Sequence, residues 1–249
     1  MVLLLAGCDR LFGFASVPAT DAHGSQIDAA GDGASHDAPT DALALDGRRP
    51  DAMLVQQTAR ENNGNGLAIT LTAMPTPGNM LVVIGGATCG LIGVSGGGVT
   101  TWQQAAYSGV SPTISVYYGV TDGTSATLLL APQCTTMTWG LVTEWSGLAP
   151  VNTLDTKTEA GQQAGPNGAG FINDAVNTTS APDLLIFGVA CYGSIGPPAT
   201  WTELDEVVAS STITQRAWYE RAPTVGQYAV DVPYTDDWDS ALVAFRIGP

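Results

Sequence analysis

The sequence predicts an all-β protein, an antiparallel β-sandwich built from two similar halves of about 100 residues each. Three observations carry this. Between Ala52 and Pro249, short alternating or wholly apolar runs recur at close intervals, separated by turn residues. No stretch carries an apolar stripe at helical spacing. The 30 Gly and 15 Pro in 249 residues supply the punctuation that many tight turns need.

The elements follow in order. Leu67 to Ala73 alternates apolar and polar, as a half-buried strand does. Met80 to Ile84 is apolar at every position, so both faces must be covered, as in a central strand. Ile114, Val116, Tyr118 and Val120 share one face of an alternating run. Ala126 to Ala131 and Thr136 to Trp145 follow, set apart by Asp122-Gly123 and Pro132-Gln133.

The second hundred residues repeat the first. Gly78 to Cys89 resembles Pro182 to Cys191, and Thr101-Trp102 resembles Thr200-Trp201. Ile114 to Tyr118 resembles Ile213 to Tyr219, and Trp139 to Gly147 resembles Trp238 to Gly248. A period this long fits a sandwich of two similar Greek-key halves, about 52–150 and 151–249. Two tandem immunoglobulin-like domains are the other arrangement. The segment from Pro150 to Gly170 shows no long linker, which favours a single jelly-roll-like sandwich of ten or so strands.

Charge divides the chain. Lys and Arg number 8 against 23 Asp and Glu, a net charge of −15. Such a chain repels phosphates, so a nucleic-acid partner is excluded. Residues 9–51 form an acidic tract in which Asp-Ala recurs at Asp21, Asp28, Asp37, Asp41 and Asp51. It carries too little apolar surface to offset its backbone entropy and reads as a disordered tether.

Chemistry is restricted by what the domain contains. Both His, His23 and His36, lie in the tether. Gly93-Val-Ser95-Gly-Gly97 matches the nucleophile-elbow pattern, but Ser95 has no His base and sits in a predicted glycine-rich loop. No P-loop or dinucleotide fingerprint is present. A carboxylate-only glycoside hydrolase survives these exclusions, with Glu144, Glu203, Asp205, Glu206 and Glu220 as candidates. Glu144 stands in an apolar strand, where Phe245 is its counterpart in the second half. Asp236, Asp237 and Asp239 gather carboxylates beside a turn and are the calcium candidates; no other cofactor is expected.

Aromatic residues point to binding. All six Trp and all seven Tyr lie in the domain. Trp102 and Trp201 follow polar loops and are the candidate platforms for stacking on sugar rings. Cys89 and Cys191 end the two matching strands, and in an oxidising compartment a Cys89–Cys191 disulfide is expected, with Cys134 as the other available partner.

Two resemblances add an address and a function class. Leu5-Ala6-Gly7-Cys8 resembles the lipobox of bacterial lipoproteins. That resemblance implies cleavage before Cys8, lipidation of Cys8, and a membrane partner through the N-terminal lipid. Residues 1–8 lack the basic region of a complete signal peptide, as expected of a reading frame that starts late. The strand pattern of 52–249 resembles the jelly-roll sandwiches of secreted bacterial proteins, including carbohydrate-binding modules and lectin-like domains. Together these imply a lipid-anchored cell-envelope or surface protein with a non-catalytic module that binds glycan or a surface protein. The alternatives are the carboxylate-dependent hydrolase and a purely structural envelope or adhesion protein.

Overall fold

The computed structural model describes residues 51–162, 168–205, 207–209 and 213–248, and sixteen strands lie among them. The lipobox, Cys8 and nearly all of the acidic tract fall outside the described residues.

The first half holds β1 (Met53–Gly64), β2 (Leu67–Thr70), β3 (Met80–Ala87), β4 (Leu91–Gly96), β5 (Gln103–Ser108), β6 (Ile114–Val120), β7 (Thr127–Pro132) and β8 (Thr136–Ser146). The second holds β9 (Leu154–Gln162), β10 (Gly170–Asn177), β11 (Asp183–Cys191), β12 (Thr202–Glu203), β13 (Val207–Ala209), β14 (Ile213–Ala222), β15 (Gln227–Tyr234) and β16 (Trp238–Arg246). Each half makes one large and one small antiparallel sheet. The large sheets run β1-β8-β3-β6-β5 and β9-β16-β11-β14, the latter extended by β12 and β13. The small sheets are β2-β7-β4 and β10-β15. An all-β sandwich of two similar halves therefore forms, but with sixteen strands among the described residues rather than ten or so; the halves share the order of their large sheets, and β4 has no counterpart in the second small sheet.

Alternation along the central strands explains the layering. Every residue of β3 and of β11 is buried. In β3, Leu81 and Val83 face the small sheet, packing with Ile69, Leu128 and Leu130. Met80, Val82 and Ile84 face the other way, onto Leu184, Ile186, Val243 and Phe245 of the second half. In β11, Leu185, Phe187 and Val189 then face β10 and β15 through Ile172, Val230 and Val232. The result is four layers, small-large-large-small, with the two large sheets back to back along a central seam.

The seam is close-packed and bridged by polar contacts. A Cβ placed on Gly188 would lie 2.5 Å from Ile84 Cγ2, so the absence of a side chain on β11 is what admits the Ile84 side chain. Tyr118 packs edge-on against Phe245, and Trp145 against Tyr219, at 5.3 and 5.1 Å between ring centroids. Gln215 Nε2 donates to Ile84 O at 2.9 Å, and Ile114 N donates to Asp239 Oδ2 at 2.9 Å.

Register corrects three sequence equivalences. Leu54 stands opposite Trp145 and Leu154 opposite Phe245, each beside a bulge. Trp145 therefore matches Phe245, Glu144 matches Ala244, and Trp139 matches Asp239 rather than Trp238. That one-residue slip reverses the face. Trp139 packs at the seam with Ala190 and Ile213, whereas Trp238 packs in the second half's outer core. In the same register Cys191 matches Ala87, not Cys89.

The expected Cys89–Cys191 disulfide is accordingly not formed. Cys191 is a free buried thiol in the outer core of the second half. Cys89 lies in the turn beyond β3 and bonds to Cys134, which precedes β8. This bond stays within the first half, closing a 45-residue separation, worth about 4 kcal/mol in the chain-entropy picture.

The seam packing gives a direct prediction. Gly188→Val forces Ile84 to move and is expected to lower stability by about 1–3 kcal/mol in denaturant titration. Gly226→Ala, where an added Cβ meets nothing within 4 Å, is expected to leave stability unchanged.

Candidate binding groove

The two ends of the stack differ. At one end the chain joins β1: Gly248 N donates to Gly147 O at 2.8 Å, and Asp51 pairs with Arg221 at the end of β14. The connection between the halves, 147–153, also lies there. It is pinned by the Leu148–Ile247 bridge and by Thr153 Oγ1, which donates to Ala149 O at 2.6 Å. Asn152 adopts a left-handed conformation with φ 51°, which its short amide side chain tolerates.

Beside this connection the seam opens. Two adjoining depressions of about 220 and about 480 Å³ share Gln103, Tyr118, Pro150 and Thr153 and form one groove. Thr100, Thr101 and Met80 line one end of it, and Val151, Asn152 and Leu154 the other. The start of β5 supplies Gln103 and the end of β6 supplies Tyr118. The Tyr118 hydroxyl donates to Gln103 Oε1 at 2.7 Å, which orients the amide. Burial pushes the Tyr118 phenol above its ordinary range, so it stays a neutral donor. No charged residue lines either depression. A third depression, about 280 Å³, lies at the opposite end beside the disulfide, formed mainly by the single segment 129–135.

The residues expected from sequence do not gather here. Trp102 is half-buried on the first half's outer core and donates from Nε1 to Gly96 O at 3.3 Å. Trp201 packs on the second half's outer core, 6.2 Å from Phe187 between ring centroids. They belong to opposite outer layers and share no site. The three aspartates are not gathered either. Asp236 Oδ1 accepts from Asp237 N in the turn, while Asp239 is fully buried at the seam. Among the described residues, no group of three His, Cys, Asp or Glu side chains is arranged to hold a metal ion. Ser95 is exposed on β4, not in a loop.

The carboxylates proposed for hydrolysis serve the fold. Glu144 is wholly buried and accepts three bonds. They come from Thr76 N at 2.8 Å, Asn79 Nδ2 at 2.6 Å and Gln56 Nε2 at 2.5 Å. It fastens the β2–β3 loop. The second half fastens its equivalent loop with Asp155 of β9. That carboxylate accepts from Thr179 N, Ser180 N and the Arg246 guanidinium. Burial alone would raise the Asp155 carboxyl, yet these bonds outweigh it and hold it well below the usual range. Glu203 pairs with Arg216, and Asp205 Oδ1 accepts from Gln57 Nε2 at 3.1 Å. Burial raises the Glu220 carboxyl. Glu206 lies outside the described residues. None of the four described candidates lines the groove.

The groove residues are common types from four separate segments, and no spacing pattern in the sequence sets them apart. Comparison of the chain with protein-family models, curated proteins and solved structures finds no match.

Asp239 yields a pH prediction. Burial pushes its carboxyl up to about 8, and nearby Glu159 adds to the rise. The folded state holds this proton where the unfolded state releases it. The stability contribution is therefore fully present below the ordinary carboxylate range and is lost as pH rises to about 8. Asp183, also raised by burial, titrates at about 6. Between pH about 6 and about 8, wild-type stability should fall. Asp239→Asn, which keeps an acceptor for Ile114 N, should flatten that slope; an unchanged slope would assign it to another group.

Proposed function

We propose that the protein is a lipid-anchored envelope lipoprotein, attached through Cys8, whose β domain is a non-catalytic module binding a neutral glycan in the seam groove. The observation that carries this reading is the lining of the groove. Amide, hydroxyl, phenol and backbone groups make up most of the lining, Val120, Pro150, Val151 and Leu154 add a smaller apolar share, and no charged side chain is among them. Sugar hydroxyls pair with such groups in both directions, while the faces of sugar rings rest on apolar surface. No ion has to be desolvated on binding, so each hydrogen bond gained is not offset by a buried charge. A charged ligand would find no counter-ion in this lining.

The connection between the halves contributes Asn152 and Thr153, and β5 and β6 contribute Gln103 and Tyr118. Binding is thus a property of the assembled pair, and rigid strands position two of the four groups. Trp102 and Trp201 act in this reading as packing residues only.

A broad neutral-glycan array followed by titration calorimetry tests the proposal. A hit is expected whose affinity falls roughly five- to tenfold for Gln103→Ala and for Asn152→Gly. Glycine keeps the left-handed backbone at position 152. Trp102→Phe and Trp201→Phe should leave affinity unchanged. No hit across the array, or hits indifferent to both groove substitutions, would overturn the assignment.

A further inference from the structure

We infer that the end of the domain at which the preceding chain joins is a lipid-facing surface that rests on neutral bilayer headgroups. This goes with the anchoring reading above, because the segment leading from Cys8 reaches the fold at Asp51, and Asp51 is at that end.

Three loop tips at this end each carry an exposed apolar residue. Met74 stands in the β2–β3 loop, Val151 in the connection between the halves, and Val225 in the β14–β15 turn. They are 55%, 73% and 59% exposed. Met53 and Val55, on the first turn-side stretch of β1, add exposed apolar surface near the same end. Pairing places all of them there: Met53 lies opposite Ser146, the Met74 loop is held by Glu144, and the Val225 turn follows Ala222, opposite Asp183. The loops 71–79, 147–153 and 223–226 contain no Asp, Glu, Lys or Arg; exposed charge at this end includes Asp122, in the turn packed against Pro75 and Pro77, and the Asp51–Arg221 pair.

Uncharged loops can enter the headgroup region without desolvating an ion, and their apolar tips gain burial there. Residues 52–249 carry 15 acidic and 5 basic residues, a balance of −10, so an anionic surface would repel the domain. The matching partner is therefore a neutral or zwitterionic lipid surface. Ile92 and Phe171 are also exposed, but they sit on strands of the outer layers near the opposite end. The groove opens beside Val151, so a docked domain meets its ligand at headgroup level.

The test uses the full chain with Cys8→Ser, so that no lipid is attached, and phosphatidylcholine vesicles in a flotation assay. Binding is expected, and the triple substitution Met74→Asp, Val151→Asp, Val225→Asp should lower it roughly tenfold. The control pair Ile92→Asp, Phe171→Asp should not. Absence of flotation by the Cys8→Ser protein, or an equal loss in the control pair, overturns the inference. The anchor is read separately, by fractionating cells expressing the chain behind a complete export signal. Membrane association that survives a carbonate wash in the wild-type chain but is stripped from Cys8→Ser supports the anchor. Wash-resistant association absent from both forms removes the anchor while leaving the vesicle result to judge the loop tips.

Discussion

A sheet that is apolar on both faces has to be covered twice, and here that requirement is met by the sister half. Each half has one small sheet, enough to cover one face of its large sheet. The second face of each large sheet is covered only when the two are laid back to back. At roughly 25 cal/mol per Å² of apolar surface removed from water, leaving either face open would forfeit many kcal/mol. Everything else in the molecule is positioned by that contact. It brings the end of β6 against β16, sets the connection 147–153 across the seam, and leaves the groove where the layers part.

The halves have diverged around a constant frame. The β1–β8 and β9–β16 pairs keep the same bulge and the same Leu-to-aromatic pairing, Leu54 with Trp145 and Leu154 with Phe245. The loop preceding each central strand is fastened by a buried carboxylate in both halves. It comes from β8 in one, as Glu144, and from β9 in the other, as Asp155. The same need has been met from different strands, which is why Glu144 has an alanine, Ala244, as its counterpart. At the seam Trp139 is matched by Asp239, an apolar filler by a carboxyl held protonated near neutral pH.

The strands, their antiparallel pairing and the two-fold repeat were legible because they follow from local patterns. The wholly apolar Met80 to Ile84 correctly announced a strand covered on both faces. Register was less legible. Aligning Trp139 with Trp238 and Cys89 with Cys191 paired like residues, but identical side chains one or two positions apart in a strand face different layers or leave the sheet. The disulfide followed loop proximity within one half instead. The groove was not legible: Gln103, Tyr118 and Asn152 carry no spacing pattern. Polar flanking sequence suggested that Trp102 and Trp201 were exposed, whereas packing places both rings against outer cores.

The central claim is that the two halves form one cooperative unit through the seam. Equilibrium denaturation followed by tryptophan fluorescence and by far-ultraviolet circular dichroism tests it most directly, since the six tryptophans are divided equally between the halves, with Trp102, Trp139 and Trp145 in the first and Trp201, Trp218 and Trp238 in the second. One transition with coincident midpoints from both probes is expected. Two separated transitions, each accounting for part of the strand signal, would show halves that fold independently and would contradict the account.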